Sequence, residues 1–232
     1  MRITIFGANG PTGRLLTRQA LDGGHTAVAV TRRPDDFPLT DPALTVVDAD
    51  VRQTTTHALD DAVAGADAVL STLGVPFSRH RIDTYSTGAA NIVAAMHRTG
   101  VRRLVVVSST AVDHYPGRTN APVLLRFLEP VLKRTAGKST YDDQRRMEDI
   151  VRVSGLDWTI VRPSGLFELP FVTDYVAGQV DPEGAFTSRT DLAHYLLTLA
   201  AAPGPRATVT VSTVEHAPTM WQTVKREAFK NA

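Results

Sequence analysis

The stretch from Met1 to Arg33 restricts what this chain can become more than any other. It opens with IleThrIlePhe (3–6), turns through Gly7, Gly10 and Gly13, and enters a helix-forming segment. A second apolar run follows and ends at Arg32 and Arg33. A strand, a glycine-rich turn and a helix in this order allow a sharp turn, close approach of the backbone to a bound pyrophosphate, and tight packing of helix on strand. A helix opening near Thr12 directs its unpaired N–H groups and positive dipole end toward an anion. The segment therefore predicts a dinucleotide site.

The residues after the second strand indicate which dinucleotide. A site for NAD usually carries an acid there, about twenty residues past the glycine turn, to hold the ribose 2′-hydroxyl. Here Thr31, Arg32 and Arg33 occupy that place. A carboxylate would repel a 2′-phosphate, whereas a guanidinium fork binds it in bidentate fashion. NADPH is the expected cofactor, with Asp35 and Asp36 the nearby acids able to turn toward the ribose instead.

The rest of the chain repeats the alternation. Strands are predicted at 44–47, 68–71, 104–107, 156–163 and 208–211. Helices are predicted at 54–65, 85–99, 123–133, from a Ser139 cap to Val153, at 191–201 and at 219–230. Strand alternating with helix argues for a Rossmann-type, doubly wound parallel α/β sheet in a single domain, with a C-terminal helical extension from about residue 217. In that extension Trp221, Val224 and Phe229 mark an apolar side that docks on the domain's own edge or on a second copy, so a monomer or a homodimer is expected. Ligands of such sheets sit outside the carboxyl ends of the strands. The segments leaving those ends should therefore share one rim: the glycine turn, 31–34, 50–52, 73–81, 108–115 and 163–175.

Composition excludes several alternatives. The 25 basic and 24 acidic side chains leave a net charge of +1, which gives no expectation of nucleic-acid or membrane-surface binding. The chain has no cysteine, so disulfides, thiolate metal sites and cysteine nucleophiles are excluded. The histidines show no metal-ligand spacing, and no metal is expected. No apolar run is long enough to span a bilayer, and the first strand starts at once, leaving no room for a signal peptide. The expected location is cytoplasmic.

With these segments placed, the chain resembles the atypical short-chain dehydrogenase/reductases of the NmrA-like group, and within it the biliverdin IX-beta reductase/flavin reductase family. The residues carrying the likeness are GlyAlaAsnGlyProThrGly (7–13), Arg32, ValValAspAlaAspVal (46–51), ThrLeuGly (72–74), SerThrGlyAlaAlaAsnIleValAlaAlaMet (86–96), GlyValArgArgLeuValValValSerSer (100–109), SerGlyLeuAspTrpThrIleValArgPro (154–163) and SerArgThrAspLeuAla (188–193). The resemblance implies that Gly10, Thr12 and Gly13 hold the pyrophosphate and Arg32 the 2′-phosphate. It implies that Asp50 and Val51 bracket the adenine, that Leu73 and Gly74 pass beneath the nicotinamide ribose, and that Ser109 faces the nicotinamide. Gly7, Asn9, Pro11, Arg33, Ser108 and Pro163 complete the expected cofactor site.

The wider family catalyses with a tyrosine and a lysine four residues on. This chain has Tyr141 and Arg145, and an arginine stays charged and cannot relay a proton. With Asp142 and Asp143 beside it, Tyr141 reads as an exposed residue on a solvated helix face. Hydride transfer to a flavin or tetrapyrrole needs less of the protein, which mainly positions and desolvates the partners. The candidate catalytic residues are therefore Ser109, with His114 and Tyr115 as weaker proton donors. Pro76, Phe77, Leu166, Phe167, Pro170, Phe171 and Tyr175 offer flat apolar surface for a small, planar acceptor. Arg79, His80 and Arg81 add charge suited to an anionic group on it. Two other readings stay open: an NADP(H)-binding redox sensor without turnover, and a sugar-nucleotide epimerase-like enzyme.

Overall fold

A computed structural model describes residues 1–53, 57–76, 78, 80–115, 118–120, 137–202 and 204–218. The predicted helices at 123–133 and 219–230 lie outside the described residues, as do Phe77, Arg79, Trp221, Val224 and Phe229.

The elements are β1 (Arg2–Phe6), α1 (Pro11–Asp22), β2 (Thr26–Thr31), β3 (Leu44–Asp48), α2 (Ala58–Val63), β4 (Ala68–Ser71), α3 (Thr84–Thr99), β5 (Arg103–Val107), a 3-10 turn (Thr110–Val112), α4 (Lys138–Val153), β6 (Asp157–Pro163), β7 (Gly165–Phe167), β8 (Val176–Gly178), β9 (Phe186–Ser188), α5 (Arg189–Ala201) and β10 (Ala207–Ser212). Eight strands form one sheet in the order β3-β2-β1-β4-β5-β6-β10-β8, while β7 and β9 form a separate ribbon. All pairs in the large sheet are parallel except β10 with β8, which the sequence reading did not anticipate. The fold is the predicted doubly wound α/β domain. No helix among the described residues is long and apolar enough to cross a membrane.

The strand period of two divides the core into two layers. Ile3 and Ile5 of β1 point to one face, where Leu16 and Ala20 of α1 and Leu192 and Leu196 of α5 cover them. Phe6, Val28, Val69 and Leu104 point to the other, under α2, α3 and α4. Sandwiched strands of this kind carry near-continuous apolar runs, as LeuValValVal (104–107) does.

Two helix starts differ from expectation. Gly137, not Ser139, precedes α4, and the Ser139 hydroxyl accepts a bond from the Ile82 amide at 2.7 Å. The helix predicted at 54–65 is assigned only over Ala58–Val63, residues 54–56 being outside the described set. α3 ends as predicted at Gly100, whose φ of 76° is the left-handed conformation that glycine adopts without strain.

Candidate functional site

The switch point of the sheet lies between β1 and β4, whose onward connections leave toward opposite faces, and a cleft of about 1240 Å³ opens there. All six strand-end segments named from the sequence contribute to its wall: Gly7 to Thr12, Thr31 to Arg33, Ala49 to Val51, Thr72 to Pro76, Val107 to Ala111, and Pro163 to Leu166.

The glycine turn is built by steric demand. Gly7 has φ of 74°, and a Cβ there would meet the Thr72 carbonyl carbon and oxygen at 2.8 Å. A Cβ on Gly13 would lie 2.3 Å from the Gly7 carbonyl oxygen, so Gly13 lets α1 pack onto the turn. Gly13 is buried behind the cleft wall that Gly10 and Thr12 line. Pro11 begins α1 and no side chain caps it. The Thr12 and Gly13 amides in the first turn thus have no partner within the helix. Gly74 differs from the other two: a Cβ there would meet nothing within 4 Å, so its backbone borders open space. An uncapped helix start and a bare backbone strip fit a dinucleotide laid across the strand ends.

The β2 end is held by short polar links. Asn9 accepts a bond from Arg14 Nε at 2.9 Å and donates to the Arg33 carbonyl at 3.5 Å, joining the glycine turn to the residues after β2. Arg33 lies 3.7 Å from Asp36 in an exposed pair. Arg32 makes no ion pair with any described residue. Farther along, the Val51 carbonyl accepts from Asn91 Nδ2 at 2.7 Å. Gly88 of α3 leaves room for Leu73 and Val51, since a Cβ there would press on both side chains.

The opposite end of the cleft was read less well. Ser108 and Ser109 line it as expected. Ser109 also caps the 3-10 turn, its hydroxyl accepting from the Ala111 amide at 3.1 Å, so that its own proton remains available to donate. His114 and Tyr115 do not line the cleft. Tyr115 instead accepts a bond from Arg162 at 3.0 Å, and burial is the main cause raising its pKa, so it is no ready proton donor. The aromatic rim divides. Pro76 and Leu166 face the cleft, while Phe171 and Tyr175 line a separate depression with His194 and His216. Burial pushes the Tyr175 phenol up to about 12. Phe167 packs edge-on against Phe186, which does reach the cleft. Pro170, His80 and Arg81 are not in the cleft wall.

Tyr141 is the larger correction. It is 8% exposed and lines the cleft with Thr140 and Gln144, so this face of α4 is not solvated. Asp143 is fully buried because its carboxylate accepts from the Tyr85 amide at 2.8 Å, from the Ser86 hydroxyl and from Arg146. It thereby caps α3 from outside that helix. Arg145 is turned to Asp142 at 3.0 Å and to the Val112 carbonyl at 3.1 Å. Sequence reasoning also missed Arg118 and Arg189, both in the cleft wall.

Behind the cleft lies a buried ionic cluster. Arg162 of β6 grips Glu148 of α4 with two bonds, of 2.9 and 2.6 Å, and reaches Asp113 at 2.7 Å. Arg152 adds a further contact to Glu148 at 2.6 Å. Burial alone would raise the Glu148 pKa, but the Arg162 hydrogen bonds and charge outweigh it and hold the carboxyl below its ordinary value. The cluster fixes the segment after β5 to α4 and β6.

A family model described as NAD(P)H-binding matches residues 7–203, a span that takes in every wall segment of the cleft. The chain belongs to this NAD(P)H-binding family. Among relatives of known sequence, the uncharacterized Mycobacterium tuberculosis protein Rv2047c is 38% identical over 168 residues, covering 72% of this chain; the chain spans only 15% of that protein's length. A short-chain dehydrogenase/reductase from Veillonella parvula, solved in complex with NADP, shares the fold with a TM-score of 0.74 and 23% identity over 92% of this chain and 95% of its own. ChuY, an anaerobilin reductase from Escherichia coli, matches with a TM-score of 0.73 and 20% identity over 94% of this chain and all of its own. Membership of the NAD(P)H-binding family agrees with the resemblance to atypical short-chain dehydrogenase/reductases drawn from the sequence.

Proposed function

We propose that this protein is an NADPH-dependent reductase that delivers a hydride to a planar conjugated acceptor such as a flavin, a linear tetrapyrrole or a quinone. The observation carrying this reading is the form of the cleft. One end is a glycine turn with an uncapped helix and an arginine that pairs with no described acid. The other is a partly apolar chamber bordered by Val75, Pro76, Leu166 and Phe186. The likeness of fold to an NADP-bound reductase and to an anaerobilin reductase supports both halves.

When bound, the nicotinamide would supply the hydride, and the proton that the reduced acceptor needs would come from solvent. The chain's own residues bind and align. Gly7, Asn9, Gly10, Pro11 and Thr12 receive the pyrophosphate at the α1 start, where Gly13 contributes its amide from behind the wall. Arg32 would take the 2′-phosphate with Arg33 beside it, and Asp50 and Val51 would hold the adenine. Leu73 and Gly74 would hold the ribose and the Ser109 hydroxyl would bind the carboxamide, with Ser108 and Pro163 beside them. Excluding water from the apolar end strengthens these polar contacts.

The test mixes purified protein with NADPH and, in turn, FMN, riboflavin, biliverdin and a quinone while the nicotinamide absorbance is followed. Oxidation above a boiled control with at least one acceptor is expected. Measurable NADPH binding with no oxidation would favour the sensor reading, for which Arg145 in place of a lysine is the supporting observation. Tyr141→Phe separates the epimerase-like reading. Its turnover should stay within about tenfold of wild type, because loss of an acid–base group costs about 100-fold or more.

A further inference from the structure

Arg189 is the first residue of α5 and borders the cleft beside the glycine turn. Its Nη1 donates to the Thr12 hydroxyl at 3.2 Å, at the start of α1, and its Nε donates to Glu168 at 2.7 Å. The side chain is 24% exposed, whereas Glu168 is 53% exposed. The start of α5 is anchored as well. Gln19 of α1 donates to the Thr190 carbonyl at 3.2 Å, and Ser188 caps α5 by accepting from the Asp191 amide at 2.9 Å. Asp191 is fully buried and takes bonds from the Thr173 amide and hydroxyl and from Thr213. A guanidinium is therefore held on a fixed backbone, steered by Glu168, within one hydrogen bond of Thr12, the second residue of the uncapped helix.

We propose that Arg189 is a further cofactor-binding residue that closes over the pyrophosphate from α5, an element outside the glycine turn. Three features support this. The α1 start offers backbone amides and a partial positive charge, while the charged residue of its own first turn, Arg14, directs its Nε to the Asn9 side chain at 2.9 Å. Arg189 is a cation brought to that point from an element other than α1. With Nε on Glu168 and one Nη1 proton on Thr12, three of the five N–H groups are left for phosphate oxygens. The inference rests on NAD(P)H binding alone and not on the identity of the acceptor.

The test is titration calorimetry of wild type, Arg189→Ala and Arg189→Lys with NADPH, NADH and adenosine 2′-monophosphate, which lacks the pyrophosphate. Arg189→Ala should weaken NADPH and NADH by the same factor, about 10- to 100-fold, and leave the monophosphate unchanged. Arg189→Lys should recover part of the loss, since it keeps the charge but not the fork. Dinucleotide affinities within twofold of wild type would overturn the proposal. So would an equal loss of monophosphate binding, which would mark a structural role. Wild-type protein that bound neither dinucleotide would instead overturn the cofactor reading itself.

Discussion

Glu148→Gln is expected to destabilise the fold by about 3–5 kcal/mol, because it leaves the buried Arg162 guanidinium without its bidentate carboxylate. Glu148 is 1% exposed and is bonded by both Arg162 and Arg152, so no solvent screens the lost charge. Urea unfolding of the two proteins at pH 7 measures the difference. A loss under about 1 kcal/mol would mean that Asp113, on the other side of Arg162, satisfies the cation alone. The same cluster sets an acid limit. The folded Glu148 pKa lies below its unfolded value, so the unfolded state binds the extra proton. The stabilisation is complete above the ordinary value of 4.5 and is lost as pH falls through the lower folded value. Glu148→Gln should therefore show a flatter stability profile than wild type below that pH.

Arg32→Ala is expected to weaken NADPH by about 1.5–3 kcal/mol, the worth of one hydrogen-bonded charged contact, and to change NADH affinity little. Arg33 should matter less, since Asp36 already lies 3.7 Å from it. Titration of both cofactors into the variant decides the matter. Equal losses for NADPH and NADH would refute the assignment of the 2′-phosphate to Arg32 and return attention to Asp35 and Asp36. Paired with Arg189→Ala, this variant gives a crossed pattern: one arginine separates the two cofactors, the other affects them alike.

The half of the cleft that holds the glycine turn was readable from sequence because its constraints are local. A left-handed Gly7, a Gly13 with no room for a Cβ and a Pro11 at the helix start all act within a few residues. The other half depends on contacts between distant segments. Asp143 and Glu148 are charged, yet they stand at i−4 to Met147 and i−3 to Val151 on the buried side of α4, one capping α3 and the other held by Arg162. Nothing near them in sequence announces those partners. Tyr141 was misplaced for the same reason, because the acids beside it suggested water. Arg189, quoted within SerArgThrAspLeuAla (188–193), was given no site role because β7 and β9 are three residues each, too short for a period of two to show. Had β9 been recognised, the rule that ligands gather at strand carboxyl ends would have pointed to the residue directly after Ser188. Phe171 and Tyr175 failed in the opposite sense, being aromatic residues on the predicted loop that belong to a different surface.

The ribbon of β7 and β9 pairs with itself and joins no ladder of the eight-stranded sheet. Leu166 and Phe186 stand on it and face the cleft, while Thr187 and Ser188 are tied to β10 and Thr213 through side-chain bonds. A substitution at Leu166 or Phe186 therefore reshapes the chamber without shifting the register that aims the glycine turn. The molecule has the build of a tool with a constant handle and an exchangeable tip: changes at the two ribbon positions that face the cleft can alter the shape of the chamber, while the glycine turn at the other end stays as it is.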